Sequence, residues 1–190
     1  MRIVGGRFRG RHLGGPRSDA IRPTSDRLRE TIFNVLTHAY DDPVTGTRVL
    51  DLFAGTGAMG LEALSRGAAF ALFVDDGAQA RGIIRENIDA LGLGGSTRLF
   101  RRDAARLGAA GPIPPFSLVF CDPPYGRDLA PRALASAAEG GWLVPGAIVV
   151  VEETQGTTVV LPDGFSEIER RDYGETHVVF ARFGSEQKSG

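Results

Sequence analysis

Cysteine is nearly absent: Cys121 stands alone among 190 residues, so the chain has no internal disulfide. That usage suits a reducing compartment, and a cytoplasmic location is expected. No apolar run approaches the roughly 18 residues that a membrane span needs, and no membrane association is expected. Nor does an apolar h-region follow Met1-Arg2-Ile3-Val4-Gly5-Gly6, so the start does not read as a signal peptide. Histidines are few and far apart (His12, His38 and His177), which leaves no metal-ligand spacing; no metal is expected. There is no internal repeat. What remains is an ordinary globular composition, 42% hydrophobic and 24% charged, at a length that fits one domain with a short appendage.

Acid is missing from one end. Ahead of Asp19 there are five arginines and no carboxylate, and residues 1–40 carry a net +5 while the remainder carries −6. A solvated tail is one reading of such a run. The sharper one is a phosphate-contacting arm built on Arg7, Arg9, Arg11 and Arg17, because guanidinium forks pair well with phosphate oxygens.

The segment Arg2–Leu13, with turns at Gly5-Gly6 and Gly10, predicts a small hairpin, and Gly14-Gly15-Pro16 breaks it. Thr24 reads as the N-cap of a helix running to about Ala39, with Leu28, Ile32, Val35 and Leu36 as its apolar stripe. Pro43 to Gly46 is a linker. From Thr47 onward, strands and helices alternate. Strands are predicted at 48–53, 69–75, 97–101, 116–121 and 147–152, and helices at 58–66, 78–91 and 129–139. This alternation calls for a parallel sheet covered on both faces. Two final strands, 165–172 and 175–183, separated by Tyr173-Gly174 with no helix between, predict an antiparallel hairpin.

Two segments carry chemistry. The first is Asp51-Leu52-Phe53-Ala54-Gly55-Thr56-Gly57-Ala58-Met59-Gly60, a Gly-x-Gly-x-x-Gly pattern between a predicted strand and helix. Gly55 and Gly57 let the backbone approach a ligand and offer N–H groups at a helix N-terminus. Asp75, 20 residues past Gly55, suits ribose hydroxyls. Asp76 follows it, and which of the two bonds the ribose stays open, with Asp75 favoured because it ends the apolar run Phe70–Val74. NAD and S-adenosylmethionine both fit so far. Asp51 suits a methionine ammonium and would repel a pyrophosphate, and Asp103 can accept from an adenine amine. Acids at successive strand ends surround a cationic adenosine ligand better than an anionic dinucleotide.

The second segment is Asp122-Pro123-Pro124-Tyr125, directly after the apolar run 116–121. An acid and nearby backbone carbonyls can accept hydrogen bonds from an exocyclic amine. The prolines stiffen the turn and remove two N–H donors, and the tyrosine ring offers a stacking face for a base. Cys121 adjoins the apolar run and is read as a small core hydrophobe, not as a nucleophile. Trp142 and Phe100 are read as core residues and His177 as structural or exposed.

With these residues in view, the sequence resembles the class I S-adenosylmethionine-dependent methyltransferases. Within them it is similar to the RsmD family, which methylates the exocyclic N2 of a guanine in 16S ribosomal RNA (guanine 966 in customary naming). The resemblance covers roughly residues 2–183. It rests on Arg2-Ile3-Val4-Gly5-Gly6 with Arg9-Gly10-Arg11, Arg22-Pro23-Thr24-Ser25-Asp26-Arg27-Leu28-Arg29-Glu30, the segment 51–67, Asp122–Tyr125, and Tyr173-Gly174-Glu175-Thr176. It departs from the family at Asp75, where glutamate is usual.

The resemblance implies a Rossmann-like α/β fold with a mostly parallel seven-stranded sheet. It implies that Asp122 and Tyr125, with Pro123 and Pro124 in the turn, carry the methyl acceptor. The donor is expected to be held by Asp51, Ala54, Gly55, Thr56, Gly57, Asp75, Asp103 and Ala104. Residues 1–42 are expected to form an RNA-contacting arm, hairpin and helix, 43–183 the methyltransferase domain, and 184–190 a disordered tail. The implied partner is 16S ribosomal RNA in the small subunit, with a monomer as the default. The rivals are a DNA N6-adenine methyltransferase sharing the same acceptor turn, an NAD-dependent dehydrogenase, and an RNA-binding module without activity.

Overall fold

The computed structural model describes residues 1–17, 21, 23–125 and 127–184. Arg22 and residues 185–190, on which most of the tail expectation falls, lie outside them. Seven strands form one sheet in the order β3-β2-β1-β4-β5-β7-β6. They are β1 (Arg48–Leu52), β2 (Phe70–Val74), β3 (Thr97–Phe100), β4 (Phe116–Cys121), β5 (Leu143–Thr154), β6 (Phe165–Tyr173) and β7 (Thr176–Phe183). The strands from β1 to β5 pair in parallel, and β7 runs antiparallel to both β5 and β6. This is the doubly wound, Rossmann-like architecture of class I methyltransferases, closed by an antiparallel hairpin as the two unbroken C-terminal runs require.

Among the described residues, four α-helices cover the sheet: α1 (Asp26–Ala39), α2 (Ala58–Ser65), α3 (Ala78–Leu91) and α4 (Leu129–Glu139). One sheet face, with Val49, Phe73, Phe120 and Val150, packs on α1, α2 and α3; the other, with Leu50, Val74, Val119 and Val151, packs on α4 and Trp142. The central strands are buried on both faces, which explains their unbroken apolar runs.

Three expectations need correction. The N-cap of α1 is Ser25, whose hydroxyl accepts the Leu28 N–H at 3.1 Å. Both residue types cap helices, with serine somewhat preferred; the Thr24 hydroxyl is taken by Glu152 instead. Strand β5 starts at Leu143, not Ala147: Pro145-Gly146 lies in a register shift against β4, which the strand absorbs and then resumes pairing. The N-terminal hairpin is reduced to one antiparallel bridge, Arg2 to His12, around a tight turn.

The N-terminal arm is nonetheless fixed. Val4 and Gly5 donate their N–H groups to the Glu62 carboxylate, Phe8 donates to Ser65 Oγ at 3.0 Å, and Gly14 donates to Asn87 Oδ1 at 2.6 Å. Glu62 is fully buried and also pairs with Arg29 (3.3 Å) and Arg66 (2.9 Å). Arg29, likewise fully buried, donates further to Asp26, to the Thr24 carbonyl and to the Arg2 carbonyl. Ile3 and Leu13 complete the attachment by entering the same core as Val49 and Phe33.

Candidate active site

The chain winds outward from β1 to β3, then returns to place β4 beside β1. At such a switch point the loops leaving adjacent strands diverge, and a crevice opens beyond their C-terminal ends. Here that crevice is a cavity of about 580 Å³, large enough for an adenosine-sized ligand. Its walls come from the loop after β1, the end of β2 with the first turn of α3, and the turn after β4. Ile21, Pro23 and Thr24, just ahead of α1, close it from a fourth side.

Side-chain alternation decides which acids meet there. Phe73, Phe120 and Val150 all face the layer of α1, α2 and α3. Two residues further along their strands stand Asp75, Asp122 and Glu152, which therefore face the same way. Asp51 lies in register with Phe73 and Phe120 and joins them. Four carboxyl groups from four adjacent strands thus converge on one side of the sheet.

The β1 loop is shaped by glycine. Gly57 caps α2 with φ +80°, a left-handed conformation that a side chain would strain. At Gly60 a Cβ would lie 2.4 Å from the Phe73 ring, so only glycine lets the helix settle on β2. That closeness brings the Gly60 N–H to 3.0 Å from the buried Asp51 carboxylate, which accepts it. Asp75 spans the crevice floor, accepting from Gly55 N–H at 2.9 Å and Gly77 N–H at 2.8 Å. Phe53, at the cavity wall, takes φ +55°, which is costly for a bulky side chain and typical of a site whose surroundings impose it.

The electrostatics are one-sided. Burial pushes Asp51 well above the usual carboxylate range, and the charges of Asp122 and Asp75 push further, against the Gly60 hydrogen bond. Asp75 is raised by desolvation despite its two backbone donors. Asp122 is raised by burial and then by Glu152 and Glu153. Glu152, 6% exposed, is pushed up to about 7 by burial and by Asp51, with Thr24 and Arg29 opposing. Among the described residues, no lysine or arginine lines the cavity. A bound positive charge would relieve this mutual repulsion, whereas a pyrophosphate would add to it. The residues present therefore fit a sulfonium- and ammonium-bearing adenosine ligand better than a dinucleotide.

The structure brings together most of the residues read from sequence. Asp51, Ala54, Gly55, Thr56, Asp75 and the whole turn Asp122–Tyr125 line the cavity, and Asp76 lines it beside Asp75. Tyr125 is 46% exposed at the mouth, where a base could stack. Gly57 shapes the loop without lining the cavity. Asp103 and Ala104 are not part of the lining; Asp103 caps a short 3₁₀ turn by accepting the Ala105 N–H at 2.9 Å. Arg7, Arg9, Arg11 and Arg17 are exposed and lie outside the cavity, with Arg11 donating to the Ala90 carbonyl at 2.8 Å and Arg7 over the Phe8 ring. Cys121 and Trp142 are buried in the α4 layer, Phe100 is partly buried beside it, and His177 is buried in the hairpin with Asp172 on Nδ1. Two residues were missed. Thr24 was read only as a cap, and Glu152 was read only as the last residue of a strand. The signal that singled out Asp75 and Asp122, an acid closing an apolar run, applies equally to Glu152 after Val149-Val150-Val151.

Comparison with known proteins places this geometry in context. A family model described as "Conserved hypothetical protein 95" matches residues 1–182. Ribosomal RNA small subunit methyltransferase D of Escherichia coli K12 is 38% identical over 168 residues, covering 87% of this chain and 81% of that protein. The protein of the same name from Haemophilus influenzae is 31% identical over 176 residues, covering 92% of this chain and 89% of its own length. Among solved structures, yhhF from Escherichia coli superposes with a TM-score of 0.80 at 32% identity, covering 97% of this chain and 98% of that one.

Proposed function

Since the chain belongs to the RsmD family, the family described as conserved hypothetical protein 95, we propose that it transfers a methyl group from S-adenosylmethionine to an exocyclic amine of ribosomal RNA. The acceptor is the N2 of a guanine in the 16S RNA of the small subunit, of the guanine 966 type, and the setting is the cytoplasm. The observation that carries this reading is that the glycine loop and the Asp122–Tyr125 turn line one and the same cavity. Donor and acceptor elements on opposite faces would have no joint use.

S-adenosylmethionine supplies an electrophilic methyl group on a sulfonium. Asp51, Asp75 and the backbone of Ala54–Gly57 would hold it, and Asp103 and Ala104, outside the cavity lining, would take part only if the bound adenine reached them. Everything else falls to the chain. An aromatic amine is a poor nucleophile because its lone pair is delocalised into the ring. Asp122 and a carbonyl of the Pro123-Pro124 turn accept its two hydrogens, so the nitrogen can pyramidalise and aim its lone pair into the cavity. Pro123 and Pro124 hold that geometry without competing N–H donors. Tyr125 stacks on a base withdrawn from its helix or loop. The rate gain comes from orientation and fixed dipoles. The arginines at 7, 9, 11 and 17, within an RNA-contacting segment 1–42, bind the backbone. A monomer suffices, since one chain supplies both the donor and the acceptor elements.

The test is nucleoside analysis of small-subunit RNA from a strain lacking the gene, followed by repair with purified protein. Loss and restoration of one N2-methylguanosine is the expected result. Methylation of duplex DNA adenine, with small-subunit RNA left unchanged, would overturn the reading.

A further inference from the structure

Glu152 has no place in the reaction as described, yet it occupies an unusual position. It sits one strand over from Asp122: β4 and β5 pair Cys121 with Val151, so the two acids are the next residues along on the same face. Between them stands a single hydroxyl. Thr24 Oγ1 lies 3.0 and 3.3 Å from the two Glu152 oxygens and 3.5 Å from Asp122 Oδ2. A hydroxyl has one hydrogen and two lone pairs. The shorter distances give that hydrogen to Glu152, which leaves a lone pair turned toward Asp122. Thr24 and Asp122 line the cavity and Glu152 does not, so Glu152 reaches the reacting atoms only through them.

We propose that Glu152 is a positioning residue for the methyl transfer, acting through the Thr24 hydroxyl to draw the acceptor amine's proton out of the Asp122 carboxyl. The inference rests on the exocyclic-amine reading above. As the amine nitrogen forms its new bond to carbon and the carbon–sulfur bond breaks, the nitrogen becomes cationic and its N–H proton passes to an Asp122 oxygen. Asp122 passes that proton to Thr24 Oγ1 while the Thr24 hydrogen moves to Glu152. Asp122 is left anionic and the positive charge has left the product nitrogen. The proton returns to water by the same route once product departs.

The groups facing Glu152 are Thr24 ahead of α1, Arg29 on α1, Asp51 on β1 and Asp122 after β4; its β7 neighbour, Val178, is apolar. Arg29 pairs with Glu62 and Asp26, so its charge offsets the rise of Glu152 only in part. Burial and the nearby Asp51 push Glu152 up to about 7, so it can hold a proton near neutrality.

A purely structural Glu152 would anchor the segment 23–25 and do nothing more. Glu152→Gln separates the roles, because the amide oxygen still accepts from Thr24 but cannot take a proton. In steady-state assays on small-subunit particles, kcat should fall about a hundredfold with KM for RNA unchanged. The wild-type rise of kcat with pH through neutrality should flatten. Thr24→Val should match Glu152→Gln, the double variant should be no worse than either, and Thr24→Ser should restore the rate. A readout without substrate comes from infrared spectra of the ligand-free protein. The protonated-carboxyl C=O band of wild type should include a component that titrates near neutral pH, and Glu152→Gln should lose that component while any signal of the other raised carboxyls, Asp51, Asp75 and Asp122, remains. A Glu152→Gln enzyme with wild-type kcat and pH profile overturns the relay while leaving the methyltransferase reading intact, and so does a ligand-free wild type without that component. A wild-type protein that methylates no exocyclic amine overturns both.

Discussion

Two buried charge clusters lie within this one fold, and they are built on opposite terms. At Glu62 a fully buried carboxylate meets two arginines and two backbone N–H groups, and every charge has a partner. At the strand ends, Asp51, Asp75, Asp122 and Glu152 converge with a few N–H and hydroxyl donors and, among the described residues, no cation in the cavity wall. The first cluster is complete without a ligand and fastens the N-terminal arm to α2. The second is complete only when something positive, or rich in donors, enters. Buried charge that is compensated from within is architecture; buried charge left uncompensated marks a site whose counterpart comes from outside.

The sharpest way to break the contrast is at the acceptor. Asp122→Ala should cut kcat about a thousandfold, with donor affinity by calorimetry little changed, since one preorganised hydrogen-bonding group is worth that much. Equal methylation rates for mutant and wild type would remove Asp122 from the reaction. Next comes Glu62→Ala, which strands Arg29 and Arg66 in the interior. Urea unfolding should show a loss of about 3–4 kcal/mol. A neutral effect would mean that the cluster is not the fastening it resembles.

Glu152 should behave in the opposite sense. Its folded-state value, about 7, lies above its ordinary 4.5, so the folded protein holds a proton that the unfolded chain has already released. Stability therefore falls as pH rises from about 4.5 to about 7. Glu152→Gln should remove that slope and stabilise the protein above neutrality by up to about 3 kcal/mol, with no gain below about pH 4.5. Losing a charge would thus weaken one cluster and strengthen the other, and urea titrations at two pH values would show it. The smallest effect belongs to the arm. Replacing Arg7, Arg9 and Arg11 together should weaken RNA binding uniformly and lower the salt slope by about one for each phosphate left without its arginine, with donor affinity unchanged. RNA affinity unaltered at low salt would exclude the arm from binding.

Much of this was legible in the chain itself. The apolar runs at 71–74 and 118–121, each followed by a turn with an acid, together with Asp51 near the end of 48–53 ahead of the glycine loop, are enough to specify parallel strands and a ligand edge. Helices α3 and α4 could be bounded to the residue because an apolar stripe fills each and a glycine follows each. Local signals failed where two neighbouring residues competed. Thr24 and Ser25 can both cap, and the distant Glu152 carboxylate takes the Thr24 hydroxyl and leaves the cap to Ser25. Strand β5 was expected to begin only at Ala147, because the sequence does not show the register shift by which Leu143 still pairs with Phe116 ahead of Pro145-Gly146. A solvated tail stayed open as one reading of the arginine arm because its anchors, Glu62, Ser65 and Asn87, lie more than 50 residues away and carry no local mark.

The sequence alone determined the order of elements, the glycine loop and the chemical types at the strand ends, since these depend on short-range sterics and on period-two burial. Only the tertiary structure decided that four acids from four strands face the same layer and that Thr24 stands between two of them. Register across a sheet is fixed by packing between segments far apart in the chain, and no residue carries that information by itself.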